Sequence, residues 1–104
     1  MTVYNKLVRD RIPELIRSQG ERPRIRILEQ EEYTACLEAK LDEEVSEYRK
    51  ERNLEELADI LEVVYALAED LGHTRQELEA VCDRKHDARG GFRDRIFLIS
   101  KEEI

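Results

Sequence analysis

The stretch Lys40–Tyr65, KLDEEVSEYRKERNLEELADILEVVY, constrains this chain more than any other. It reads as two helices joined by a tight connection at Arg52-Asn53. Glu44 and Glu47 stand three residues apart before the connection, and Glu56 and Asp59 stand three apart after it. That spacing puts each pair on one helical face. The pairs are also mirrored. Folding the chain between Glu51 and Arg52 sets Glu47 opposite Glu56 and Glu44 opposite Asp59. An antiparallel helix pair whose faces meet would hold four carboxylates at matching levels.

Angular position sharpens the expectation. At about 100° per residue, Tyr33, Cys36, Leu37, Leu41, Val45 and Tyr48 form one apolar arc on the first of the two helices. Glu44 falls inside that arc and Glu47 near its edge, while Asp42, Glu43, Ser46, Arg49 and Lys50 make the expected solvent face. A carboxylate on a core-facing stripe is costly unless it is paired or binds metal. On the second helix Glu55, Glu56, Asp59, Glu62, Glu69 and Asp70 lie opposite a broad apolar face.

A chain of 104 residues suits one domain. A domain of this size buries a limited core and gains from oligomerising. Charged residues make up 41% and hydrophobic ones 40%, so the apolar content is too high for disorder. The net charge of −7 and pI near 4.9 argue against nucleic acid or an anionic membrane as partner. They leave room for small phosphorylated substrates, because a metal ion inverts the local field. MTVYNKLVRDR has no apolar run, and no stretch is long enough to span a bilayer, so a cytoplasmic location is expected. Cys36 and Cys82 lack metal-ligand spacing and read as packed free thiols.

Around the central stretch the chain reads as follows. Asp10 caps a first helix, RIPELIRSQ, with Pro13 in its first turn and Ile12, Leu15 and Ile16 facing the core. Arg24–Leu28 alternates polar and apolar residues and reads as a short strand. The long second helix ends near Arg52. Asn53 opens the third helix with Glu56 in capping-box position, so Glu56 has two competing uses, the backbone of Asn53 and a metal. Thr74 and Glu77 form a second box that opens the fourth helix, which ends at Arg89-Gly90-Gly91. Arg93–Ser100 contains Ile96-Phe97-Leu98-Ile99, a second strand candidate that could pair with Arg24–Leu28.

Clustered carboxylates resist ionising beside one another, and a divalent ion removes that conflict. All-oxygen ligands favour magnesium, with manganese the alternative. Magnesium commonly shares its shell with substrate phosphates, so such a site suggests a phosphate-bearing substrate. Glu62 extends the acidic stripe. Lys85 and Arg89 share a helical face before two glycines, a pattern open to a plain C-cap or a phosphate contact. Lys6 and Arg9 could reach a triphosphate or pair with surface acids. Lys40, one turn before Glu44, could serve as a structural ion pair or a phosphate contact. No serine–histidine or cysteine–histidine arrangement suggests a covalent nucleophile.

Four segments, YNKLVRDRIPE, KLDEEVSE, EELADILEVV and RGGFRDRIFL, resemble in this order the MazG-like all-α nucleoside triphosphate pyrophosphohydrolases. The likeness is to the house-cleaning branch related to phosphoribosyl-ATP pyrophosphohydrolase. The ExxE…ExxD pattern of that family falls on Glu44, Glu47, Glu56 and Asp59. The resemblance implies a mostly α fold, a four-helix MazG-like bundle in one domain, to which the two strand candidates would add a small two-stranded sheet of Arg24–Leu28 with Arg93–Ser100. It implies homodimers or higher homo-oligomers. It also implies magnesium-dependent cleavage between the α- and β-phosphates of a nucleoside triphosphate, with the four acids holding the metal. Lys85 and Arg89 would then neutralise phosphate charge. The link between ExxE and ExxD is shorter than in typical members, which would reshape the base pocket. Two other readings use the same residues: hydrolysis of phosphoribosyl-ATP, and a noncatalytic helical module binding a protein partner. In the latter, a buried ion pair to Lys40 or to an arginine accounts for Glu44.

Overall fold

A computed structural model describes all 104 residues. The chain is helical and has no strand. Its elements are α1 (Ile12–Ser18), α2 (Gln30–Glu51), α3 (Leu54–Asp70) and α4 (Arg75–Arg89).

Local signals set most boundaries. The α2–α3 link is two residues long. Arg52 takes the left-handed conformation (φ 47°, ψ 56°) and its N–H donates to the Tyr48 carbonyl at 2.8 Å, closing α2. Asn53 is extended, and its side-chain oxygen accepts the Glu56 N–H at 2.9 Å, opening α3. The Thr74 box closes in both directions: the Glu77 N–H donates to Thr74 Oγ1 and the Thr74 N–H donates to Glu77 Oε1, each at 3.1 Å. Gly90, at φ 81°, ends α4 in a backbone conformation that disfavours other residues. At α1 the expected Asp10 cap is absent. Arg11 takes that position with no side-chain bond, and Pro13 occupies the first turn.

Packing is concentrated in one place. Helix-to-helix contact joins α2 to α3 and, less extensively, α3 to α4; α1 packs on no other helix and α2 does not touch α4. All four buried residues, Leu37, Glu44, Val63 and Ala68, lie on α2 and α3. Leu41, Val45 and Tyr48 on the α2 arc are half-buried, as are Ile60, Val64 and Leu67 on α3. The far end of the pair is tied by polar bonds. Thr34 Oγ1 donates to Asp70 at 2.6 Å and the Gln30 amide donates to the same carboxylate. Those two hydrogen bonds hold the Asp70 carboxyl below its ordinary value.

Several expectations fail, and for one physical reason. The sheet of Arg24–Leu28 with Arg93–Ser100 does not form. A lone two-stranded ribbon is marginal without a covering layer, and no element covers either segment. Ile27 is 87% exposed and Phe97 87%. The Arg26 guanidinium instead binds Glu32 in the first turn of α2. Leu15 faces outward while Ile12 and Ile16 are half-buried, and Cys82 is exposed, unlike the half-buried Cys36.

The missing layer is measurable. The chain exposes 10128 Å², against about 6,100 Å² for a compact monomer of its mass. Its radius of gyration is 18.5 Å, against about 13 Å for a compact domain of this length. The four helices are therefore present, but a single chain does not close them around one core.

Candidate functional site

The site grows out of the two-residue link. Reversing the chain at Arg52-Asn53 lays the end of α2 against the start of α3, so acids near the link meet acids near the link. Carboxylate oxygens of Glu44, Glu56 and Asp59 all lie within 4.8 Å of one another. Glu44 sits deepest, with 9% of the residue exposed. Glu56 and Asp59 are half-buried on the seam.

Glu47, the fourth acid of the mirrored pattern, does not join the triad. It lies at the edge of the α2 arc, its side chain is 44% exposed, and it pairs with Lys50 at 3.8 Å. Its charge still reaches the site. The Glu56 carboxyl is held above its ordinary value by partial desolvation first, then by the charges of Asp59, Glu47, Glu44 and Glu51.

The competing use of Glu56 as a cap is resolved by its two ends. Its backbone N–H caps onto Asn53, while its carboxylate makes no bond back to the Asn53 N–H. Main chain and side chain thus do separate jobs, and the carboxylate faces the acid cluster.

Three of the sequence-selected cations border these acids. Lys40 Nζ lies 3.5 Å from Glu44 and 3.3 Å from Glu43. Lys6 Nζ pairs with Glu43 at 3.3 Å, bringing the N-terminal segment onto α2. Arg9 reaches across to α3, 3.1 Å from Asp59 and 3.7 Å from Glu62. Lys85 and Arg89 are not brought there. They are exposed on α4, which does not contact α2, and neither forms an ion pair.

Glu43 is the participant that sequence reasoning misplaced. It belongs to the expected solvent face, yet it accepts from both Lys6 and Lys40. Desolvation pushes its carboxyl up, but those two hydrogen bonds outweigh it and hold the group below its ordinary value. The Lys40-to-Glu43 spacing of three was the available signal.

The donor set suits a hard divalent cation. Three carboxylates, all oxygen, stand close together on two helices, and desolvation followed by repulsion from the neighbouring acids raises the proton affinity of Glu56. The Lys40 ammonium offers a partial substitute for a cation, on one side of Glu44.

No protein-family model matches the chain, and no solved structure does. An uncharacterized protein of Mycolicibacterium smegmatis (strain ATCC 700084 / mc(2)155) is 66% identical over 44 residues. That match spans 42% of this chain and 45% of the relative, so less than half of the relative's length is covered. No helix is long and apolar enough to cross a membrane.

Proposed function

We propose that this chain is a magnesium-dependent nucleoside triphosphate pyrophosphohydrolase of the MazG-like kind, cleaving the α–β phosphate bond to give a nucleoside monophosphate and pyrophosphate. Its role would be the removal of non-canonical nucleotides in the cytoplasm, and its working form a homodimer or higher homo-oligomer. The observation that carries the reading is the meeting of Glu44, Glu56 and Asp59 across the α2–α3 seam. Packing alone gives no reason to place three acids there.

In this reading Glu44, Glu56 and Asp59 would hold magnesium, or manganese in its place, with Glu47 near enough to contribute charge. The bound ion would supply charge neutralisation for the phosphates and a more acidic water. The chain's own residues do the remaining work. Glu44 is fixed by burial and by Lys40, so its carboxylate is pre-set rather than recruited. Lys40 and Arg9 can turn to phosphate oxygens once a cation neutralises Glu44 and Asp59, and Lys6, held on Glu43, adds positive charge beside them. Positioning and electrostatics of this type supply most of the rate in phosphoryl transfer. Phosphoribosyl-ATP is the second substrate to try, since it presents the same phosphate linkage.

The noncatalytic interaction module remains the rival because one observation favours it. The Lys40–Glu44 pair accounts for the buried acid without any metal. The deciding experiment measures pyrophosphate release from a panel of canonical and modified nucleoside triphosphates, with magnesium and with excess chelator. Metal-dependent release that disappears in Glu44→Gln and Asp59→Asn supports the enzyme. Absence of release from the whole panel and from phosphoribosyl-ATP favours the interaction module.

A further inference from the structure

Helix α3 is apolar on two opposite sides. One side packs on α2. The other carries Leu54, Leu57 and Leu61, which are 79%, 44% and 46% exposed. Helix α4 covers that second side only near the Gly72 turn, where Ala68 is buried and the Arg75 guanidinium lies 4.1 Å above the Tyr65 ring. Beyond this point α4 leaves α3, and the leucine row has no cover.

The segment that follows α4 has the opposite deficit. Phe92 and Ile96–Ile99 are 75–99% exposed, and residues 96–104 make no backbone hydrogen bond. Four consecutive apolar residues stand in solvent with free main-chain groups.

We propose that the leucine row of α3 is the docking site for residues 92–99 of a second copy of this chain. Three observations select this occupant. The first is length. Leu54 to Leu61 spans about 10.5 Å along a helix, and Ile96 to Ile99 spans about 10 Å when extended. The second is charge. Helix α3 carries six acids and no lysine or arginine, whereas Arg89, Arg93 and Arg95, with Asp94 the one acid among them, precede the apolar run. Glu55 flanks the leucine row and would meet those arginines, with Glu62, 3.7 Å from Arg9 of its own chain, beside it. Pairing of α3 with a second α3 would instead set two acid-only helices together. The third is area. Each chain exposes roughly 4,000 Å² more than a compact monomer, so two copies together hold more spare surface than the roughly 2,000–5,000 Å² total that an obligate dimer buries. Within one chain α4 carries the segment away from the row, so the exchange is between copies.

The test is a mixed-chain cross-link in a Cys36→Ala/Cys82→Ser background. One full-length chain carries Leu57→Cys and a second, size-tagged chain carries Leu98→Cys. The expected result after mild oxidation is a disulfide-linked heterodimer of the two sizes. Sedimentation velocity should find the full chain as a dimer, and Phe97→Asp/Leu98→Asp should weaken that dimer at least about 100-fold with helicity unchanged. Three results overturn the proposal: dimers linked only between two chains substituted at Leu57, an intrachain link in a Leu57→Cys/Leu98→Cys chain while the mixed chains give no heterodimer, or no link with unaltered mass in Phe97→Asp/Leu98→Asp. None of these readouts depends on turnover, so they stand apart from the proposed activity.

Discussion

Helices α2 and α4 make an instructive pair. Helix α4 has the better local signals: a reciprocal capping box and a glycine stop. Helix α2 begins with no side-chain cap and ends on a left-handed arginine. Yet α2 holds two buried residues and one wall of the acid cluster, whereas α4 buries none. Caps decide where a helix starts and stops. They contribute about 1 kcal/mol each and say nothing of where the helix goes. Placement comes from an apolar face that finds a partner, and α2 has one in α3.

The contrast can be broken in several ways, beginning with the largest effect. Glu44→Gln or Asp59→Asn, at the α2–α3 seam, should lower the proposed metal-dependent pyrophosphate release at least about 100-fold, with circular dichroism unchanged. Wild-type turnover in either variant would remove the seam from the chemistry. For stability, Leu37→Ala should cost about 2–4 kcal/mol in denaturant unfolding, because Leu37 is 3% exposed. Val81→Ala on α4, 41% exposed, should cost less than about 0.5 kcal/mol in the same measurement. Comparable losses at both sites would mean that α4 has a buried face in solution.

Next in size is Lys40→Met. Its side chain is 16% exposed and that of Glu44 12%, so the change strands a largely buried carboxylate. The expected loss is about 2 kcal/mol, below the cost of breaking a fully buried pair. Magnesium should recover much of it, seen as a larger magnesium-induced rise in Tm than in the wild type. An equal rise in both proteins would separate Lys40 from the proposed cation site. Thr74→Ala removes the α4 cap and should cost about 1 kcal/mol of local helix stability, read by amide hydrogen exchange. The effect should stay within α4 and leave the seam's protection intact.

The smallest effect has a definite sign. Glu56 is a carboxyl whose folded-state proton affinity is raised above its ordinary value of 4.5. Its ionisation therefore opposes folding, and that opposition grows as pH rises from the unfolded-state value through the folded one. Glu56→Gln should raise Tm slightly at neutral pH, and the advantage should fade on acidification below the ordinary value. A variant less stable than wild type at neutral pH would show that Glu56 is paired rather than repelled.

How much of this was legible in sequence follows from range. The α2–α3 pair was readable because its information is local: two ExxE-type spacings, an apolar arc containing Glu44, and a link too short to allow any arrangement but reversal. Three of the four acids meet as the mirror symmetry implied. Glu47 departs because its angular position is marginal, and Lys50 at the next turn pulls it outward. Helix ends were readable for the same local reason. The sheet was misread because alternation reports β-preference and not the presence of a covering layer. Lys85 and Arg89 join the acids only through a shared helical face before two glycines and the family resemblance, and no spacing in the sequence encodes the divergence of α4.

The two-residue link at Arg52-Asn53 also works as a phase setting between two rotors. One residue inserted there would turn α3 by about 100° and advance it by about 1.5 Å. Each place on the seam would then be taken by the residue one step earlier. Glu55 would stand where Glu56 stands, and Ala58 would stand where Asp59 stands. The acid triad would lose a member though every original side chain remained in the chain. The length of this link is thus as much a part of the site as its carboxylates.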